Sequence, residues 1–166
     1  MKFSGKALKL GDNINTDLII PGKYLHLEDP VELAQHVLEG LDGDFVKTYQ
    51  KGDILVVGKN FGSGSSREQA ALALKYAGVQ TMIGTSFARI FFRNANNQGI
   101  YLFESQEAVN DIESADWIDI DSSTWTISNT TKKRQYNLQP LPEFLLAILE
   151  NGGLVPYLRQ KEKTKI

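Results

Sequence analysis

The apolar positions of this chain change their period from stretch to stretch, and each period predicts an element. From Phe3 to Leu10 apolar and polar residues alternate loosely, as in a strand, and the polar turn Gly11–Asp17 follows, then the short apolar run Leu18-Ile19-Ile20 before Pro21-Gly22. Ile54-Leu55-Val56-Val57 is an unbroken apolar run, the pattern of a strand covered on both faces. The alanine- and leucine-rich residues after it predict a helix from about Ser66 to Ala77, stopped at Gly78. Val79 to Thr85 reads as a second strand. Ser86 is placed to cap a helix over Phe87–Ala95, and Ile100 to Phe103 reads as a third strand. Strands alternating with helices in this order imply a parallel sheet with right-handed crossovers.

The flanking regions carry other patterns. Asp29-Pro30-x-Glu32 has the residues of an N-cap, a first-turn proline and a capping box, so a helix is expected from Asp29 to a stop at Gly40, with Leu33, Ala34, Val37 and Leu38 as its apolar stripe. The connector Gly43–Lys51 carries Phe45 and Tyr49 as anchors to the body. Trp117–Asp121 and Trp125–Ser128 alternate with period two around Ser122–Thr124, and with Gln135–Leu138 they predict a small antiparallel unit. Pro142 and Glu143 open a helix that stops at Asn151-Gly152-Gly153, and a last short helix is expected over Leu154–Arg159. No repeat or linker divides the chain. The expectation is one α/β domain over residues 1–166: a mostly parallel central sheet flanked by helices, plus a small antiparallel β appendage.

Composition narrows the function more than the fold. With 42% hydrophobic and 23% charged residues and a net charge of −2, the chain is of ordinary globular composition and offers no electrostatic reason to bind nucleic acid or an anionic membrane. Lys161–Lys165 is expected to be a short solvated tail. No apolar stretch approaches the ~20 residues of a membrane span, and Met1–Gly5 lacks a signal-peptide core, so the cytoplasm is the expected compartment. There is no cysteine, which excludes disulfides, thiol catalysis and any thiolate-held cluster on this chain. His26 and His36, the only histidines, are ten apart without metal-ligand spacing, so no metal site is expected.

The stretch that points to chemistry is Gly58-Lys59-Asn60-Phe61-Gly62-Ser63-Gly64-Ser65-Ser66-Arg67-Glu68-Gln69-Ala70, a glycine-rich turn between the first buried strand and the helix after it. Placed on the first turn of that helix, Ser65, Ser66 and Arg67 would sit among unpartnered N–H groups at the positive end of the dipole, a site for a carboxylate or phosphate. Arginine grips either in a bidentate fork. The plain alternative is a serine-rich cap that only starts the helix. The loop lacks the Gly-Lys-Ser/Thr ending of a nucleotide P-loop, and the following strand lacks the acidic residue of a dinucleotide fingerprint.

The longer pattern Asn60-Phe61-Gly62-x-Gly-Ser-Ser-Arg-Glu-x-Ala resembles the signature of the aconitase superfamily swivel domain, in particular the small subunits of 3-isopropylmalate dehydratase and homoaconitase. Thr16-Asp17 and Ser86–Asn94 are similar to that family as well, and the likeness runs from about Phe3 to Leu158. Asn96-Asn97-Gln98-Gly99 departs from it in being more polar than the usual step at this helix end. The resemblance implies a hydro-lyase working by dehydration and rehydration of a malate-type acid, inactive without a large subunit that carries a [4Fe–4S] cluster. It implies Ser65 as the base and Asp17 as an orienting residue at the active site. Ser66, Arg67 and Gly64 would bind substrate, and Tyr24, Leu25, His26 and Leu27 would form the specificity loop. With no arginine in that loop, a branched apolar group is favoured over a third carboxylate, because a buried carboxylate needs a cationic partner. Homoaconitate, a dimethylmalate or citramalate type of substrate, and a non-catalytic anion-binding module stay open. Arg89 and Arg93, four apart on one helix face, are read either as a solvated face or as packing near the active loop or a partner subunit.

Overall fold

The computed structural model describes residues 1–41 and 45–163. Seven strands form one sheet in the order β4-β3-β2-β1-β5-β6-β7, with β1 at Lys2–Lys9, β2 at Ile54–Val57, β3 at Thr81–Gly84, β4 at Tyr101–Glu104, β5 at Trp117–Asp121, β6 at Thr126–Asn129 and β7 at Arg134–Asn137. β1 to β4 pair in parallel, and β1, β5, β6 and β7 pair antiparallel. β1 joins the two parts because it divides its length: Lys2 to Lys6 pair with β5, and Ala7 to Lys9 with β2. The expected antiparallel unit is therefore continuous with the parallel sheet, edge to edge.

Alternation within the strands sorts side chains into two cores. Leu55, Val57, Met82 and Leu102 face one layer, where they meet helices α4 (Glu68–Tyr76) and α5 (Arg89–Asn97). Ile54, Val56, Ile83 and Phe103 face the other, where they meet Ile118, Ile120, Ile127 and Tyr136 of the antiparallel strands and Leu149 of α7 (Glu143–Glu150). All four residues of β2 are buried, as an unbroken apolar run requires. Phe45 and Tyr49 anchor their segment as expected, with rings stacked at 5.2 Å; Phe45 opens the short helix α3 (Phe45–Thr48), and the part of that connector before Phe45 lies outside the described residues. The C-terminal helix α8 (Leu154–Lys163) runs past the expected Arg159 and takes in the first residues of the expected tail; residues 164–166 lie outside the described ones.

Two local expectations are corrected. The helix capped by Asp29, whose carboxylate accepts from the Val31 N–H at 2.9 Å, is α2 (Pro30–Ala34) and stops well before Gly40. Residues 35–40 turn instead, because Leu38 adopts φ +57° and donates its N–H to Ile19 O at 2.7 Å rather than continuing a helical ladder. Ser86 does not cap α5, whose N-cap is Ala88; its hydroxyl accepts from the Asn60 N–H, tying two loops together. The short helices α1 (Thr16–Ile19) and α6 (Gln106–Asp111) were not expected; Asn15 and Ser105 cap them by accepting from Leu18 and Ala108 N–H groups. At the polar helix end Asn96 is buried, and its amide donates to Phe92 O at 2.8 Å.

Candidate functional site

Three loops leave the carboxyl ends of β1, β2 and β3 on the same edge of the sheet, the place where open α/β sheets bind ligands. The glycine loop after β2 lies between the other two and is fastened to both. On one side Gly62 donates to Ile14 O (2.7 Å), and Thr16 donates back to Ser63 O (2.8 Å). On the other, Phe61 donates to Ser86 O (3.2 Å), and Ala88 to Phe61 O (2.9 Å). These exchanges extend the parallel ladder beyond the strands over Phe61 to Ser63. Gly62 has φ +80°, and a Cβ there would fall 2.2 Å from the Phe91 ring, so both its backbone angle and its closeness to α5 exclude any side chain.

Between these loops opens a cleft of about 580 Å³, lined by Thr16, Gly64, Ser65 and Arg67 on one side and by Arg89, Ile90 and Asn94 of α5 on the other, with Asn60 and Phe87 beside them. Ser65 is exposed to it, and among the described residues none hydrogen-bonds its hydroxyl. Its position is set through its backbone: the buried Thr16 donates its hydroxyl to Ser65 O at 3.1 Å. Arg67 is largely buried, with a side chain 18% exposed, and its Nη1 donates to Asp17 Oδ1 at 2.5 Å and to Ile20 O at 3.3 Å. The Nη2 and Nε donors carry no partner among the described residues, so part of the fork remains for an anion.

The expected placement on a helix is corrected here. α4 begins at Glu68, with Arg67 as its N-cap in extended conformation, so Ser65 and Ser66 lie in the loop before the first turn. The physical reason is the tethering of Phe61 to Ser65 to the β1 and β3 connections, which keeps this stretch out of the helical ladder, so that helical geometry starts only after the extended Arg67. The positive end of α4 still lies next in sequence to Arg67.

The candidate residues fall into three groups. Ser65, Gly64 and Arg67 share the cleft. Asp17 is exposed and does not line the cleft but is partnered to Arg67, and Ser66, also exposed, does not line it. Tyr24, Leu25 and Leu27 do not line it either; they pack partly buried against the first core, and His26 is exposed. Sequence reasoning missed Thr16, Ile90 and Asn94 as cleft residues, and left Arg89 between a solvated face and a functional one. Arg89 proves to be exposed and on the cleft wall, and Ile90 is 46% exposed there. The legible signal was position: each follows the end of a parallel strand in the first core.

A parallel sheet whose strand ends carry a Gly-Ser-Ser-Arg loop, extended by an antiparallel unit, defines the C-terminal swivel domain of the aconitase type, and the sequence matches the Aconitase C-terminal domain family over residues 42–107. The chain is 52% identical over 159 residues to the 3-isopropylmalate dehydratase small subunit of Caldanaerobacter subterraneus subsp. tengcongensis, covering 96% of this chain and 99% of that one. It is 49% identical over 166 residues to the protein of the same name from Aquifex aeolicus, covering 99% of both. Its fold matches the crystal structure of 3-isopropylmalate dehydratase from Methanocaldococcus jannaschii with a TM-score of 0.95 at 42% identity, covering 99% of this chain and 98% of that one. The chain belongs to the family of 3-isopropylmalate dehydratase small subunits.

Proposed function

We propose that this chain is the small subunit of a cytoplasmic hydro-lyase that interconverts 2-isopropylmalate and 3-isopropylmalate by dehydration and rehydration. The observation that carries the proposal is the meeting of Ser65 and Arg67 in one cleft at the carboxyl ends of parallel strands, in a chain about half identical to small subunits of that name. In this reading Ser65 removes the proton from the carbon next to a carboxylate. Arg67 binds the carboxylate through the donors that Asp17 leaves free, and the backbone at Gly64 adjoins it in the cleft; Ser66, exposed outside the cleft, would reach the substrate only in the assembled enzyme. Asp17 orients the guanidinium. Serine is a weak base in water, so its anion must be stabilised by Arg67 and the positive end of α4 in a site closed to solvent.

The chain does not fit an iron–sulfur cluster: it has no cysteine, and the described residues bring no three histidine, aspartate or glutamate side chains together. The reading therefore assigns a [4Fe–4S] cluster to a large subunit, where it supplies Lewis-acid assistance to the departing hydroxyl. Every task left to this chain is binding, orientation and proton transfer. The absence of arginine from Tyr24–Leu27 favours a branched apolar group on the substrate.

Co-expression with a cysteine-bearing large subunit, followed by turnover of 3-isopropylmalate, homocitrate and citrate, tests the proposal. A stable complex that prefers 3-isopropylmalate is expected. A complex that prefers a tricarboxylate overturns the substrate assignment, and a chain that forms no complex overturns the subunit assignment.

A further inference from the structure

Glu39 gathers more side chains than any functional reading has so far required of it. Its carboxylate accepts from Tyr24 Oη at 2.8 Å on both oxygens, meets His36 Nδ1 at 2.8 Å, and is 3.2 Å from Lys23 Nζ. The Tyr24 ring stacks flat on His36, with centroids 3.7 Å apart and planes 9° from parallel, and Lys23 Nζ lies 4.6 Å from the centre of the same ring. The hydrogen bonds from Tyr24 and His36, then the lysine, hold the carboxyl down to about 2 from its ordinary 4.5. The anchorage is thus complete above about pH 4.5 and weakens only as the pH falls from there through about 2.

What the cluster joins gives it significance. Lys23 and Tyr24 belong to a single helical turn at Gly22–Tyr24. That turn starts against the site: a Cβ built at Gly22 would lie 3.9 Å from both Arg67 Nη2 and Asp17 Oδ1. Glu39 belongs to the turn at residues 35–40, which is bound to α1 through Leu38 N–H to Ile19 O, and a Cβ built at its Gly40 would lie 3.4 Å from Asp17 O. Two irregular segments thus approach the Asp17–Arg67 pair from different sides, and among the described residues the side-chain hydrogen bonds between them converge on Glu39.

We propose that Glu39 is a positioning residue: it clamps the Gly22–Leu27 segment against the Asp17–Arg67 pair and thereby sets how tightly the substrate is held. The clamp itself is read from the geometry; its effect on substrate rests on the function proposed above. Partly exposed ion pairs contribute little to global stability, so the clamp acts on the shape of the segment far more than on the folding of the chain.

The test uses the full chain assembled with its large subunit. Glu39→Gln and Tyr24→Phe are each expected to raise KM for 3-isopropylmalate about tenfold with kcat changed less than about threefold. The double variant is expected to be no worse than the stronger single, because both weaken the same Tyr24–Glu39 contact. Tyr24→Phe keeps the stack on His36 and the Lys23–Glu39 pair, so it remains informative if Glu39→Gln folds poorly. Trypsin cleavage after Lys23, measured on the chain alone, is expected to quicken about tenfold in Tyr24→Phe as the segment opens locally. Unchanged KM in both singles, or effects that multiply in the double, overturns the role in substrate binding. Unchanged cleavage overturns the clamp. If the wild-type complex does not turn over 3-isopropylmalate, the functional reading fails while the cleavage measurement still decides the clamp.

Discussion

The parallel and antiparallel halves of the sheet share β1 and one core, yet they are built for different work. In the parallel half the loops at the carboxyl ends of β1, β2 and β3 converge, and the cleft draws its lining from those loops and from α5. In the antiparallel half the polar groups close on one another. Asn129, wholly buried, donates to Asp116 Oδ2 at 2.7 Å and accepts from the Lys132 N–H at 3.0 Å, while Asp111 holds Tyr136 and Arg134. Burial, together with the Asp111 contact, pushes the Tyr136 hydroxyl up to about 12. At the cleft Arg67 keeps donors free for a ligand, whereas the buried Asn129 and Tyr136 of the antiparallel half each have a partner. Polar satisfaction thus separates a scaffold from a site within one sheet.

That division gives a ranked set of expectations. Ser65→Ala in the assembled enzyme is expected to lower kcat by about 10³-fold with little change in stability, as loss of a positioned base should; full turnover would remove Ser65 from the chemistry. Next comes Gly62→Ala, which forces a Cβ into Phe91 at a positive φ and is expected to cost about 3 kcal/mol in denaturant unfolding, with loss of activity as α5 is displaced. Arg67→Lys is expected to reduce kcat/KM about 50-fold, because lysine supplies a charge without a fork that can serve Asp17 and a carboxylate together. An unchanged KM would mean the guanidinium only braces Asp17. Smallest is Asn129→Leu in the antiparallel half, expected to cost about 2 kcal/mol by stripping a partner from the buried Asp116 while leaving kcat and KM intact below its melting transition. Should that variant lose kcat while folded, the two halves are coupled and the division fails.

The same contrast explains what was legible beforehand. β2, α4, β3 and β4 were readable because their apolar periods serve local structure and burial together; the two-residue periodicity of β5 and β6 was equally plain. The glycine loop was readable because its residue types are dictated by backbone angle and close approach. The short helix α2 misled because a capping box states where a helix begins and nothing about where a distant carbonyl, here Ile19 O, will take over the N–H of Leu38. The helix was started about two residues too early, at Ser66 rather than Glu68, for the same reason: cross-loop hydrogen bonds outweighed the local preference of a serine-rich start. Arg89 and Ile90 could be assigned to a helix but not to a cleft, since that depends on which loop lies across from them.

By itself the sequence determined the alternation of strands and helices, the lack of any thiolate ligand and the chemistry available at Ser65 and Arg67, because each is a property of residue type or of neighbours a few positions away. The tertiary structure alone decided that Thr16 would fix the Ser65 carbonyl, that Asp17 would occupy one arm of Arg67, and that Glu39 would gather Tyr24, His36 and Lys23. Those are contacts between loops, made by hydrogen bonds whose partners are unrelated in sequence spacing, and they exist only after the sheet has brought its strand ends to one edge.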